Sequence, residues 1–172
     1  MDKMENRIKS ILLWGVALLI SVSPCFAEDL CAKNEKVIIS FSTKVRKNLS
    51  ICKETKNNYL VYRYGRGKKV EMQYPHVLDN TSWDAFTFSG RGRAGGKENA
   101  GFGDYDLTFS VDGFGYTVFQ AWNDEDESYQ VGIVVRNAKT ERETRIEGLS
   151  DTQKGSLVLL DEEKNYIQNT AQ

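Results

Sequence analysis

Few side chains in this 172-residue chain are of types and spacings that do chemistry. His76 is the only histidine and follows Tyr74-Pro75 at the end of an expected strand. A Ser-His-Asp or Cys-His apparatus needs a nucleophile and an orienting acid around that imidazole. No serine has the context of a nucleophile elbow, so no catalytic residue is assigned. Zinc needs three or four converging ligands, and one nitrogen ligand does not supply them. Gly90-Arg-Gly-Arg-Ala-Gly95 matches G-x-G-x-x-G, but a dinucleotide site requires a helix to follow, and Gly96 to Asp104 carries no helical pattern. No cofactor and no metal are expected. That glycine-rich segment reads as a flexible loop whose Arg91, Arg93 and Lys97 could meet an anion or an acidic partner.

The acidic run Asp124, Glu125, Asp126 and Glu127 lacks the spaced ligands and central glycine of a calcium loop and reads as a charged hairpin tip. Its setting is more informative. Between Lys97 and Arg136 there is no Lys or Arg, while Glu98, Asp104, Asp106, Asp112 and the four acids of the run all fall there. Segregated charge of this kind selects oppositely charged partners. Trp83 and Trp122 flank strand ends and could stack on a sugar or anchor a protein partner, or lie at the edge of the core. Paired carboxylates for glycoside hydrolysis are not singled out by any spacing.

The elements that must position these groups begin after residue 27. A basic stretch to Lys9, an apolar run Ile11–Ile20 and the exit Ser-Val-Ser-Pro-Cys-Phe-Ala27 form a signal peptide cleaved after Ala27. The apolar run is too short to span a bilayer, so no membrane span is expected after cleavage. Cys25 leaves with the peptide, and residues 28–172 form a single domain. Its 20 basic and 22 acidic side chains give no reason to expect nucleic acid. In an oxidising compartment the remaining pair, Cys31 and Cys52, reads as a disulfide, worth about 3 kcal/mol in the chain-entropy model.

Alternation with a period of two recurs along the chain, so the domain is all-β. Tyr105–Val111, the turn Asp112-Gly113 and Phe114–Gln120 predict a type I′ hairpin with Val111 opposite Phe114. Leu60–Tyr64 and Val70–Tyr74 predict a second hairpin, with Tyr64 opposite Val70, Arg63 opposite Glu71, and Val70 on the buried face. With Lys36–Thr43, Lys47–Cys52, Asp84–Ser89, Tyr129–Arg136 and Glu141–Ile146, about nine strands form an antiparallel meander closing into a sandwich or barrel. Ser156–Asn169 could form one short C-terminal helix, and Gly90–Asp104 is the only long flexible stretch.

Leu49-Ser-Ile-Cys52, Tyr62-Arg-Tyr-Gly65 and Glu71-Met-Gln-Tyr-Pro75 resemble a group of uncharacterised exported bacterial β-proteins with Tyr-Arg-Phe/Tyr-Gly and Glu-x-x-Tyr-Pro strands. The resemblance covers roughly residues 35–75 and implies an exported β-fold without implying an activity. Members often carry a second cysteine pair with one member near the position of Phe41, which this chain lacks.

These readings converge on a non-enzymatic, periplasmic or secreted binding module. The first expectation is an inhibitor or immunity-type protein acting on a basic protein partner in the periplasm or envelope. Its contact residues would be Trp122, Asp124, Glu125, Asp126 and Glu127, with Arg91 and Arg93. The alternatives are a carbohydrate or small-ligand binding protein and a structural envelope component.

Overall fold

The computed structural model of the protein describes residues 28–171. The expected signal peptide, Cys25 and the cleavage point after Ala27 lie outside the described residues. The strands are β1 (Glu35–Ser42), β2 (Asn48–Glu54), β3 (Leu60–Arg66), β4 (Lys69–Tyr74), β5 (Thr87–Arg93), β6 (Phe102–Val111), β7 (Phe114–Asn123), β8 (Ser128–Asn137), β9 (Glu143–Glu147) and the two-residue β10 (Lys154–Gly155). They form two five-stranded antiparallel sheets, ordered β10-β1-β2-β3-β4 and β5-β6-β7-β8-β9. The architecture is a sandwich of two meanders, not a barrel, and β10 is added to the nine expected strands. One side of the sandwich is tied at a corner: the Lys44 N–H donates to the Glu147 carbonyl and the Leu149 N–H to that of Ser42.

The core lies between the sheets, with Ile39, Phe41, Ile51 and Tyr62 against Phe88, Leu107, Phe109, Val118 and Ile133. Phe109 is its aromatic hub, 4.9 Å from the Tyr62 ring across the sheets and stacked on Tyr74 and Tyr116 at 4.5 and 4.9 Å. The β6–β7 hairpin has the expected register, with Val111 opposite Phe114 and Leu107 opposite Val118. Asp112 and Gly113 take φ of 52° and 79°, the left-handed pair that a type I′ turn demands.

The β3–β4 hairpin departs from the expected register. Tyr64 faces Met72, Gly65 faces Val70 and Arg63 faces Gln73, which leaves Glu71 as an extra residue in β4. Gly65 permits this bulge, because a β-carbon there would fall 2.0 Å from the Lys69 carbonyl oxygen. One inserted residue switches the faces of what lies beyond it. Val70 is therefore turned out and 39% exposed, Glu71 pairs with Lys47, and Arg63 is free to find another carboxylate.

That carboxylate is Glu35. Residues 28–34 run across the outer face of the first sheet, held by the Cys31–Cys52 disulfide, by the Leu30 N–H donating to Ser50 Oγ at 2.9 Å, and by Asn48 Nδ2 donating to the Glu28 carbonyl at 2.9 Å. Beneath this strap Arg63 meets Glu35 through Nη1–Oε2 at 2.5 Å and Nη2–Oε1 at 2.8 Å. Arg63 Nη1 also donates to the Leu30 carbonyl, and Nε to Gln73 Oε1. The Glu35 side chain is fully buried. Desolvation pushes its carboxyl up, but donors from Arg63, the Ala32 N–H and Tyr59 outweigh that and hold it below the ordinary carboxylate value.

The C-terminal helix expected over Ser156–Asn169 is replaced by a 3₁₀ helix, Leu157–Glu162. Leu157 and Leu160, both buried, are three apart and so share one face of a helix with three residues per turn. The chain then extends to the edge of β5. There Asn169 accepts from the Gly90 N–H and donates to its carbonyl, and the Thr170 N–H donates to the Phe88 carbonyl. This clip covers part of an otherwise open sheet edge. The expected long loop is also shorter, because β5 and β6 pair from Thr87–Thr108 through Arg93–Phe102, leaving only residues 94–101 between them.

Candidate functional site

The core-facing side of the second sheet continues past the end of the core as two rows of paired residues. Gly90, Tyr105, Gln120 and Val131 form one row, and Gly92, Gly103, Trp122 and Tyr129 the next. The glycines exist for the rings. A β-carbon on Gly103 would lie 2.1 Å from the six-membered ring of Trp122, and one on Gly90 would lie 2.3 Å from Tyr105. Trp122 therefore lies flat over the backbone of β6. Its plane is 8° from that of Tyr105 at 5.6 Å and 20° from that of Tyr129 at 6.4 Å. Tyr105 is buried, whereas Trp122 is half-buried and Tyr129 is 43% exposed.

Tyr129 is fixed by a chain of hydrogen bonds. Its hydroxyl accepts from Gln120 Nε2 at 2.9 Å and donates to Gln153 Oε1 at 3.0 Å. The buried Gln120 Oε1 accepts in turn from the Leu157 N–H at 2.7 Å and from Ser156 Oγ at 3.0 Å. A satisfied buried amide of this kind rigidifies its neighbours.

Trp122 and Tyr129 floor an open concavity of about 550 Å³, rimmed by Asn123, Asp124, Glu127 and Ser128. Hydrogen bonds within the turn shape the rim. Asn123 Oδ1 accepts from the Glu125 N–H, Asp126 Oδ1 accepts from the Ser128 N–H, and Glu127 takes φ of 53°. Hydrogen bonds from Ser128 hold the Asp126 carboxyl below its ordinary value. Asp124 is docked on the 94–101 loop, accepting from the Gly101 N–H at 3.1 Å and donating its own N–H to the Gly101 carbonyl.

Of the residues expected to touch a partner, Trp122, Asp124 and Glu127 are brought to one cavity, and Glu125 and Asp126 lie on the same exposed turn outside it. Arg91 and Arg93 do not join them. They alternate with Gly90 and Gly92 and so project from the opposite face of β5. Arg91 lies 3.4 Å from Asp104, and Arg93 lies over the Phe102 ring and donates to the Ala100 carbonyl. Arg91 offsets Asp104, and Asp112 sits at the other end of β7 from the 124–127 turn. On the outer face of the second sheet, desolvation and the neighbouring Asp104 raise the Asp106 carboxyl. Trp83 belongs to the core: it is 2% exposed, stacks on Tyr166 at 5.2 Å and donates Nε1–H to the Asn57 carbonyl.

His76 is exposed beyond the end of β4. Among the described residues the one grouping of three metal-type ligands is Cys31, Glu35 and Cys52, whose two sulfurs are bonded to each other. The residues that sequence reasoning missed are Gly103, Gln120 and Tyr129. Their signal was present as glycines facing aromatics across paired strands, but only the register reveals it. No helix among the described residues is long and apolar enough to cross a membrane. No family model matches the chain, and no curated protein or solved structure matches it.

Proposed function

We propose that the protein is an exported binding module of the inhibitor or immunity type. It engages a basic protein in the periplasm or envelope through the Trp122–Tyr129 floor and the acidic turn. The observation that carries this reading is the meeting of Trp122, Asp124 and Glu127 at one preorganised cavity. A half-exposed tryptophan on a rigid sheet is the kind of residue that dominates binding energy, and flanking carboxylates steer and select a cationic partner. The Cys31–Cys52 bridge fits an oxidising compartment, in keeping with the signal peptide read from residues 1–27.

Capture from periplasmic extract at low and high salt tests this reading. A basic protein retained at low salt and released at high salt supports it, and capture of none at either salt contradicts it. A second reading, carbohydrate binding, is favoured by one feature: the two near-parallel rings of Trp122 and Tyr129 form a surface on which a sugar could stack. Oligosaccharide binding that is insensitive to salt and lost on Trp122→Ala would select it.

A further inference from the structure

From the way this sheet treats its own aromatics, we infer that the Trp122 cavity receives an arginine side chain of the partner. The inference rests on the basic-partner reading and names the anchor. The sheet lays three aromatic rings across glycines of a neighbouring strand: Tyr105 across Gly90, Phe119 across Gly132 and Trp122 across Gly103. Tyr105 is buried. Phe119, on the opposite face of the sheet, is capped from within the chain. The Arg145 guanidinium sits 3.9 Å from its ring centroid, and Nη2 donates to Gln130 Oε1 at 2.8 Å. Arg93 repeats the arrangement over Phe102 at 5.5 Å, with Nε donating to the Ala100 carbonyl at 3.1 Å. Each cap combines a flat ring, a guanidinium above it and an oxygen at the guanidinium's edge.

Trp122 has the ring and the oxygens but no cap. Among the described residues no Lys or Arg lines the cavity with it, whereas Asp124 and Glu127 do. One Asp124 oxygen is held by the Gly101 N–H, which fixes that carboxylate before a ligand arrives. A planar, weakly hydrated guanidinium can stack on the indole and donate sideways to both acids. A lysine ammonium gains the charge attraction without the stacking or the fork geometry. The cavity therefore discriminates between the two basic side chains.

Fluorescence anisotropy with dye-labelled hexa-arginine and hexa-lysine peptides tests this on the disulfide-bonded protein. The expected result is that hexa-arginine binds at least about tenfold more tightly than hexa-lysine, and that Trp122→Leu cuts this preference to less than about threefold. A competition on the unmodified protein does not depend on the variant's folding: N-acetyl-arginine amide releases hexa-arginine, and N-acetyl-lysine amide at the same concentration does not. Equal binding of the two peptides, still abolished by Asp124→Asn with Glu127→Gln, overturns the arginine anchor and leaves the basic-partner reading standing. Binding of neither peptide overturns both.

Discussion

Trp122 occupies the space that any side chain on Gly103 would need: a β-carbon at residue 103 would come within 2.1 Å of its ring. The glycine on β6 and the indole on β7 are one structural unit, and the candidate site exists only because both are present.

Gly103→Ala should lift Trp122 off the sheet. Forcing a methyl group into a filled contact costs about 1–3 kcal/mol. The expected outcome is a lower melting temperature with changed near-ultraviolet circular dichroism and weaker partner binding. Gly96→Ala, where a β-carbon meets nothing within 4 Å, is the matched control.

The Arg63–Glu35 pair beneath the strap should be costly to break and cheap to replace. Arg63→Ala strands a fully buried carboxylate and should lose about 3–5 kcal/mol in urea unfolding. The double variant Arg63→Met, Glu35→Leu should recover most of that loss, since two apolar side chains leave no charge unpaired.

The same pair sets the response to acid. The folded Glu35 carboxyl titrates below its ordinary value of 4.5. Its stabilising contribution is therefore complete above that value and is lost as pH falls through the lower, folded one, where the unfolded chain already binds the proton. Urea midpoints measured from neutral pH downward should fall below pH 4.5 in the wild type and fall less steeply in Glu35→Gln.

Replacing Cys31 and Cys52 together by serine should cost about 2–4 kcal/mol. Because the bridge pins the strap over Arg63, hydrogen exchange should rise first at Leu30, Ser50 and Arg63, while the Val111–Phe114 hairpin keeps its protection.

The legible parts of this fold were those fixed by local chemistry. Asp112-Gly113 dictates its turn and through it the β6–β7 register, so the pairing of Leu107 with Val118 could be read directly from the chain. The β3–β4 register could not, because the bulge at Glu71 adds a residue that binary patterning does not count: simple alternation sets Arg63 opposite Glu71, whereas the fold pairs it with Glu35. The Ser156–Asn169 segment has a spacing that suits an α-helix and the observed 3₁₀ helix alike, since Leu157 and Leu160 stand three apart, and the Asn169 clip on Gly90 that favours an extended ending lies 79 residues away in sequence. At the site, Trp122 and the acidic turn were legible by residue type. Tyr129 and Gly103 were not, since their roles arise only when β6, β7 and β8 are aligned.

The proposed function stands on the Asp124–Glu127 turn and Trp122 forming the partner-binding surface. The most direct measurement is salt-titrated capture by the wild type and by Asp124→Asn, Glu125→Gln, Asp126→Asn, Glu127→Gln combined, at about 50 mM and about 500 mM salt, conditions that differ severalfold in screening length. The predicted result is a basic protein retained by the wild type at low salt only and not retained by the variant. Retention of the same partner by both proteins at both salt concentrations would contradict it.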